Sequence, residues 1–264
     1  MYGGQKGTVK GSAEDMGQRL SPPEEGAVSR PPPRWLVLIA VLALGAPAAG
    51  QPAVEAGPVV VGVVSGSSVV VAGVPLASGP WGTDYITVSH ALAVGGRYAI
   101  LRDGAPFADS VPVAACSNAY HGVDVLILRV AAHPNSPVAH WGDPAELRVG
   151  DELMILPRRE IHPRPSPVRF LHTTLTAFLA ERQIQWTPPR PWRNVMVGEG
   201  FVAPGFSGSP WVRDGRVYGL TKGWVQPPGS EARYAAAEST PWIRRCLQQL
   251  HYEDLVPRGM GGSP

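Results

Sequence analysis

The segment Gly205-Phe206-Ser207-Gly208-Ser209-Pro210 is the most informative stretch of this 264-residue sequence. A nucleophilic serine needs its Oγ on a tight turn, with backbone amides directed at the oxyanion that develops on the substrate. Small residues on both sides permit that close approach. Because short motifs of this kind also occur by chance, the interpretation depends on partner residues elsewhere in the chain. The segment makes Ser207 a candidate nucleophile.

A serine nucleophile needs a general base, and a histidine is the expected one. His90 stands out because it ends the strand-like run 85–90. The other histidines lie next to turn residues, after the predicted last helix, within a predicted strand, or just before the candidate aspartate strand. These six are His121, His133, His140, His162, His172 and His251. We therefore select His90 as the candidate base.

The third member of a triad is a carboxylate that accepts the imidazole Nδ1–H and stabilises the imidazolium. Asp124 directly precedes the apolar run 125–128, at the margin of a predicted buried strand. Asp103 and Asp109 stand beside Gly104 and Ser110, and we interpret them as loop residues. The candidate triad is therefore His90, Asp124 and Ser207.

The body of the chain has the pattern of a turn-rich β protein. Short apolar runs alternate with glycine and proline, which number 31 and 29, and such punctuation is typical of strands joined by tight turns. One set of runs spans 57–131, a break rich in turn residues spans 132–150, and a second set spans 151–238. Thr240, followed by Pro241, is predicted to cap a final helix over 240–250. Residues 251–264 are predicted to form a disordered tail.

These segments, in this order, resemble the chymotrypsin-fold (trypsin-like) serine endopeptidases, whose triad runs His, Asp, Ser along the chain. The stretch 141–156 is similar to the linker and the first strand of the second barrel in the protease module of the HtrA/Deg family. The resemblance covers about residues 57–250. It implies an all-β fold of two six-stranded antiparallel barrels with a C-terminal helix, and a serine endopeptidase that works through an acyl-enzyme.

The resemblance also implies roles for further residues. The amides of Gly205 and Ser207 would form the oxyanion hole, and a strand made of Leu220, Thr221, Lys222, Gly223 and Trp224 would pair with the substrate. Phe201 would set the floor of the specificity pocket, which favours an apolar residue before the scissile bond. Cys116 and Cys246 would form a disulfide, because in this fold the terminal helix can pack near the segment before the aspartate and an oxidising compartment permits the bond.

Three features depart from the pattern of the resembled proteins. Phe206 stands where Asp or Asn is usual, which argues against activation by a new N-terminal ammonium, and Ser209 stands where Gly is usual. Only 14 residues follow Leu250, so we expect a protease module without a PDZ domain.

Composition excludes several classes of function. The 23 basic and 21 acidic residues leave a formal net charge of +2, which provides no electrostatic footprint for a nucleic acid. Two cysteines are too few for a disulfide framework or a four-thiolate zinc site. We expect protein or peptide substrates, no cofactor and no metal, and the sequence leaves the oligomeric state open.

The N-terminus has the sequence pattern of an export signal. Residues 1–34 are predicted to be disordered, and an apolar segment follows at 35–50, ending in the small residues Ala46-Pro47-Ala48. Basic residues precede this segment and none follows until Arg97, which places the downstream chain outside the cytoplasmic membrane. The segment is predicted to be a cleaved signal peptide, with an uncleaved anchor and a buried core segment as the alternatives. If it is uncleaved, residues 35–49 would be the only membrane contact.

Two alternatives to an active protease remain open at this point. The first is a catalytically decayed protease-fold protein that binds peptides or a partner. The second is a membrane-anchored β binding module in which the serine motif is accidental. Covalent labelling by a fluorophosphonate separates an active serine protease from both.

Overall fold

The computed structural model describes residues 59–65, 69–90, 97–117, 122–131 and 137–255. The predicted disordered segment 1–34, the apolar segment 35–50 and residues 256–264 of the predicted tail lie outside these residues. So do His121 and His133.

The first half of the chain forms a closed barrel of six antiparallel strands in the order β1-β2-β3-β6-β5-β4. Its strands are β1 (Val61–Ser65), β2 (Val69–Gly79), β3 (Gly82–Thr87), β4 (Tyr98–Arg102), β5 (Ala105–Cys116) and β6 (Val125–Val130). Branched apolar side chains fill the barrel, and Val63, Ile86, Ile100 and Ile127 are fully buried. Burial runs almost without interruption along β6, because the same apolar cluster takes in residues of the second half, among them Leu220.

The second half forms another six-stranded barrel, in the order β8-β9-β10-β13-β12-β11, which the β11–β8 pairing closes. A further short strand, β7, adds to β12 in parallel. The strands are β7 (His140–Trp141), β8 (Glu152–Ile155), β9 (Ser166–His172), β10 (Met196–Gly200), β11 (Pro210–Arg213), β12 (Arg216–Val225) and β13 (Tyr234–Ser239). The prediction of two six-stranded antiparallel barrels is confirmed.

The apolar run 168–179 contains a helix that the sequence patterns did not indicate. Strand β9 ends at His172, and helix α1 follows at Leu175–Glu181. The Thr174 side chain caps this helix by accepting a hydrogen bond from the Ala177 amide at 3.2 Å. Leu175, Phe178 and Leu179 are buried, and their i, i+3, i+4 spacing is that of one helix face.

The predicted C-terminal helix is present as α2 (Thr240–Gln249), with two corrections. Ser239 rather than Thr240 occupies the N-cap position and makes no side-chain capping hydrogen bond, and the Thr240 hydroxyl donates to the carbonyl oxygen of Tyr218 at 2.9 Å. The tail is ordered at its start, where α3 (Tyr252–Leu255) follows α2. Tyr252 is buried, and its hydroxyl donates to Asp84 Oδ2 at 2.5 Å, which holds this helix against the first barrel.

A disulfide bond joins Cys116, at the end of β5, to Cys246 on α2, with the two Cα atoms 6.3 Å apart. Both cysteines are buried in the apolar cluster that the two halves share. The bond therefore ties the first barrel to the helix that follows the second.

Candidate active site

Strand pairing brings His90 and Asp124 together. His90 lies three residues beyond the end of β3, and Asp124 directly precedes β6. The two strands are antiparallel, with Thr87 opposite Leu126, so the end of one lies beside the start of the other. His90 Nδ1 is hydrogen-bonded to Asp124 Oδ2, and the His90 side chain remains 32% exposed.

Three donors converge on the second oxygen of Asp124. The Ser89 amide, the Ser89 hydroxyl and the His90 amide donate to Oδ1 at 3.0, 2.6 and 2.8 Å. Burial alone would raise the pKa of Asp124, but the hydrogen bonds from His90 and Ser89 and the charges of His90 and Lys222 outweigh burial and lower it. The carboxylate is therefore held ionised. Sequence reasoning missed Ser89, although its place directly before the candidate base was visible.

Ser207 lies on a tight turn and faces His90. Gly205 and Gly208 adopt φ values of +92° and +80°, which glycine tolerates and other residues rarely adopt. Phe206 is buried between them and fixes the turn in the second barrel. The Ser207 Oγ is 3.3 Å from His90 Nε2. This contact can carry a proton transfer, because catalytic hydrogen bonds of this length shorten when substrate binds.

The turn is tied to strands of both barrels. The Ala72 amide, on β2, donates to the carbonyl oxygen of Ser207 at 2.7 Å, and the Gly208 amide donates to the carbonyl oxygen of Thr221 at 2.8 Å. Within the described part of the chain, the amides of Gly205 and Ser207 donate to no backbone carbonyl. These two amides remain available to an incoming oxygen atom.

Phe201 is not placed as a pocket floor. Its side chain is 59% exposed and lies 5.9 Å, ring to ring, from Phe206 and 6.3 Å from His162. The segment that follows β10 carries Phe201 to the surface beside the loop that contains His162. The apolar preference based on Phe201 therefore gains no support from this arrangement.

The residues of the expected substrate-pairing strand lie on β12 and differ in exposure. Leu220 and Thr221 are fully buried, and the Thr221 hydroxyl accepts from Trp211 Nε1 at 3.0 Å and donates to the Ser209 carbonyl at 2.8 Å. Their side chains therefore support the turn and do not face a substrate. Trp224 is 44% exposed, with the Arg233 guanidinium 4.4 Å from its ring centre.

The backbone of 222–225 has one free edge. Strand β13 pairs with one side of β12 as far as Val225, whereas β11 pairs only as far as Leu220. Among the strands of the described ranges, none pairs with the other side of 222–225. This edge can accept an extended peptide by strand addition.

Lys222 is buried against β13 and the turn that contains Pro191. Its Nζ donates to Glu238 Oε1 at 2.5 Å and to the carbonyl oxygen of Pro191 at 2.7 Å. Both Lys222 and Glu238 are buried. Sequence reasoning placed Lys222 at the substrate and gave Glu238 no role.

Metal chemistry has no visible site in these ranges. Within the described residues, no group of three or more His, Cys, Asp or Glu side chains could hold a metal ion.

Among the helices of the described residues, none has the length and the apolar character that a membrane span requires.

No protein-family model matches this sequence, and no curated protein matches it either. Solved structures do. The chain is similar to the inactive form of the Rv3671c protease, which comes from M. tuberculosis H37Rv, with 19% identity over 73% of this chain and 88% of that one and a TM-score of 0.52.

It is also similar to the HtrA-type protease AlgW in complex with a tripeptide, with 17% identity over 75% of this chain and 62% of that one and a TM-score of 0.57. A serine endoprotease from Yersinia pestis gives 16% identity over 75% of this chain and 64% of that one, with a TM-score of 0.53. This chain therefore has the chymotrypsin-like two-barrel fold that HtrA-type serine proteases share.

Proposed function

We propose that this protein is a serine endopeptidase that hydrolyses peptide bonds through an acyl-enzyme. The observation that carries the proposal is the chain of contacts from Asp124 through His90 to Ser207 on this two-barrel fold. A carboxylate, an imidazole and a serine hydroxyl in this order are the arrangement that activates a serine for acyl transfer.

In the proposed reaction, Ser207 Oγ attacks the scissile carbonyl carbon while His90 Nε2 takes the hydroxyl proton. The carbonyl π electrons move to oxygen, and the Gly205 and Ser207 amides donate to that oxyanion. Collapse of the tetrahedral intermediate expels the amine, which receives the proton from His90 and leaves an ester on Ser207. Water then attacks the ester by the same proton path and releases the carboxylic acid.

Asp124 orients His90 and balances its charge. The imidazole must present Nε2 to Ser207, and the hydrogen bond from Nδ1 to Asp124 selects the tautomer with the proton on Nδ1. As His90 becomes charged in the transition state, the ionised carboxylate lies beside it and stabilises the imidazolium. The three donors on Oδ1 keep the carboxylate in place during this change.

We propose an extended polypeptide as substrate, with its backbone paired to the free edge of 222–225. Strand addition supplies main-chain hydrogen bonds that do not depend on substrate sequence. The exposed Trp224 offers an apolar surface beside this edge. This arrangement supports endopeptidase activity on unfolded or extended segments.

Fluorophosphonate labelling tests the proposal. The wild-type protein should be labelled covalently, and Ser207→Ala should not be. Ser209→Ala is the matched control, because Ser209 is a neighbouring buried serine whose Oγ has no hydrogen-bond partner among the described residues, and it should be labelled normally. Wild-type protein that is folded and binds peptides but takes no label would instead identify a catalytically decayed protease fold.

We also propose that the protease domain acts outside the cytoplasmic membrane. Support comes from the apolar segment 35–50 with basic residues before it and none until Arg97, and that segment lies outside the described residues. An alkaline phosphatase reporter fused after Gly50 should be active only if the fusion is exported. An inactive reporter on a stably expressed fusion would refute this location.

A further inference from the structure

A positively charged groove lies where the loop between β8 and β9 meets the first barrel. Its volume is about 860 Å³. Its walls are the residues before β1, the turn between β4 and β5, and the β8–β9 loop. Four arginines and two carboxylates line it, namely Arg102, Arg158, Arg159, Arg164, Asp103 and Glu160. We call this cavity the basic groove.

The arginines of the basic groove are open to an incoming anion. Arg102, Arg159 and Arg164 are exposed, and the ion pairs between described side chains include none of these three. The Arg102 guanidinium lies 4.2 Å from the centre of the Phe107 ring, which positions it. A second cavity differs, because it is lined by three arginines and three carboxylates and each of those carboxylates is in an ion pair.

The β8–β9 loop is fixed before any ligand binds. The amides of Ile161 and His162 both donate to the Arg158 carbonyl at 3.0 Å, and prolines at 157, 163 and 165 restrict the backbone. Arg158 is buried, and its Cδ would lie 3.3 Å from a Cβ added to Gly62 on β1. A preorganised site of this kind loses little conformational entropy when a ligand binds.

The same loop contacts the turn that carries the candidate nucleophile. A Cβ added to Gly205 would lie 2.9 Å from Ile161 Cγ2, so the Ile161 side chain, which is 46% exposed, lies against that glycine. His162 lines the basic groove, and its ring centre is 5.5 Å from that of Phe206. The groove therefore begins beside the residues that directly precede Ser207.

The basic groove lies on the side of this turn that the free edge of 222–225 does not occupy. Gly208, at the end of the turn, is hydrogen-bonded to Thr221, whereas Ile161 lies beside the start. In the proposed reaction the leaving amine receives its proton from His90, so the leaving part of the substrate begins next to the first barrel. Because the first barrel also forms a wall of the groove, this part of the polypeptide is directed over Ile161 into it.

We propose that the basic groove binds an acidic segment of the substrate, C-terminal to the scissile bond. The planar guanidinium groups of Arg102, Arg159 and Arg164 pair with Asp and Glu carboxylates of the substrate, since arginine can donate two parallel hydrogen bonds to one carboxylate. Val59 and the loop prolines provide apolar contacts beside them. The inference deepens the proposed endopeptidase function and rests on it for the identity of the ligand.

The first test measures binding without catalysis, in the full-length Ser207→Ala protein. Fluorescein-labelled hexaglutamate should bind at low ionic strength, as read by fluorescence anisotropy, and hexaglutamine should not. Arg102→Ala together with Arg164→Ala should weaken this binding about tenfold, since each exposed ion pair is worth up to about 1 kcal/mol. The matched control is Arg182→Ala together with Arg244→Ala, because it removes the same charge from exposed positions outside the groove, and it should bind like the parent.

The second test locates the acidic segment relative to the cut. Cleavage sites in a mixed-sequence peptide library, identified by mass spectrometry, should show Asp and Glu enriched on the C-terminal side of the bond cut by the wild-type protein. The groove variant Arg102→Ala with Arg164→Ala should lose the enrichment, and the control variant should keep it. Both variants should keep the wild-type melting temperature, because all four side chains are exposed.

Equal hexaglutamate binding by the parent, the groove variant and the control variant would overturn the proposal. So would a cleavage profile without acidic enrichment after the cut, or one that the groove variant leaves unchanged. A protein that takes the fluorophosphonate label but shows no groove-dependent binding would refute this inference alone. Groove-dependent binding by a protein that takes no label would refute the endopeptidase function, and the groove would then be a site for acidic peptides.

Discussion

The backbone amide of Ala72 donates to the carbonyl oxygen of Ser207 at 2.7 Å. Ala72 belongs to the first barrel and Ser207 to the second, so the candidate nucleophile itself is held by the opposite half of the molecule. The Ala72 carbonyl in turn accepts from the Thr87 hydroxyl at 2.5 Å, and Thr87 lies three residues before His90. One backbone position thus sets the spacing between the candidate base and the candidate nucleophile.

Replacing Gly208 by alanine should break the contact between Ala72 and Ser207. A Cβ at residue 208 would lie 1.9 Å from the Ala72 carbonyl oxygen, and φ there is +80°. The backbone strain alone is worth about 1–3 kcal/mol, and the clash adds to it. We expect a clear drop in the free energy of unfolding and loss of fluorophosphonate labelling, measured by chemical denaturation and by gel fluorescence.

Gly150→Ala is the matched control, because Gly150 has φ +95° and a Cβ added there would meet nothing within 4 Å. It should show the strain without the clash and keep its labelling. Equal destabilisation of the two variants would contradict the role of the Ala72 contact.

Ser89→Ala should slow the reaction without unfolding the protein. The change removes the 2.6 Å hydrogen bond from the Ser89 hydroxyl to Asp124 and leaves both amide donors. A hydrogen bond to a charged group is worth about 1.5–3 kcal/mol, so a fall of about ten- to a hundredfold in the labelling rate is expected. Ser78→Ala removes a serine hydroxyl that contacts Thr83 elsewhere in the first barrel and should leave the rate unchanged; a similar loss in both variants would exclude a specific role for Ser89.

Glu238 should make folding stability fall as the pH rises. The pKa of its carboxyl is 4.5 in the absence of burial and about 7 in the folded protein, so between these values the folded state holds a proton that the unfolded state has lost. The stabilisation is complete below pH 4.5 and disappears as the pH rises through 7, and it amounts to about 3 kcal/mol.

The comparison with Glu238→Gln isolates this contribution, since glutamine does not titrate. Urea denaturation at several pH values should show the wild type losing stability relative to the variant between about pH 4.5 and pH 7. A difference between the two proteins that stays constant over this range would mean that Glu238 keeps an ordinary pKa.

Loss of the disulfide should destabilise the protein. The bond closes a loop with a sequence separation of 130 residues, and removing a native disulfide typically costs about 2–5 kcal/mol. Cys116→Ala together with Cys246→Ala should lower the melting temperature, and unreduced wild-type protein should show no free thiol after denaturation. Two reactive thiols in that assay would refute the bond.

Local patterns predicted much of this molecule from its sequence. His90 and Asp124 each stand next to a strand-like run, and antiparallel pairing of two such strands brings their adjoining ends together whatever the details of the loops. The runs punctuated by glycine and proline predicted two sets of strands, and the resemblance to the chymotrypsin-fold proteases implied that each set closes into a barrel. The burial of Lys222 could not be predicted, because residues 217–222 of β12 are all buried, whereas a charged residue in an alternating strand pattern is expected on a solvent-exposed face.

Two other differences have equally local causes. The helix at Leu175–Glu181 follows strand β9 with no glycine or proline between them. Only the capping residue Thr174 marks the point where the spacing of the apolar residues changes from two to 3.6. The position of Phe201 is set by packing against Phe206 and His162. The contact between Phe201 and His162 joins residues that are far apart in the sequence, so the residues around Phe201 do not predict it.

The disulfide between Cys116 and Cys246 also determines what a break in the chain would do. Residues 159–161 are exposed between β8 and β9, so a protease can cleave this chain there. Such a nick would leave His90 and Asp124 on one fragment and Ser207 on the other. Because Cys116 belongs to the first fragment and Cys246 to the second, the two pieces would remain one covalent molecule and would migrate separately on a gel only after reduction.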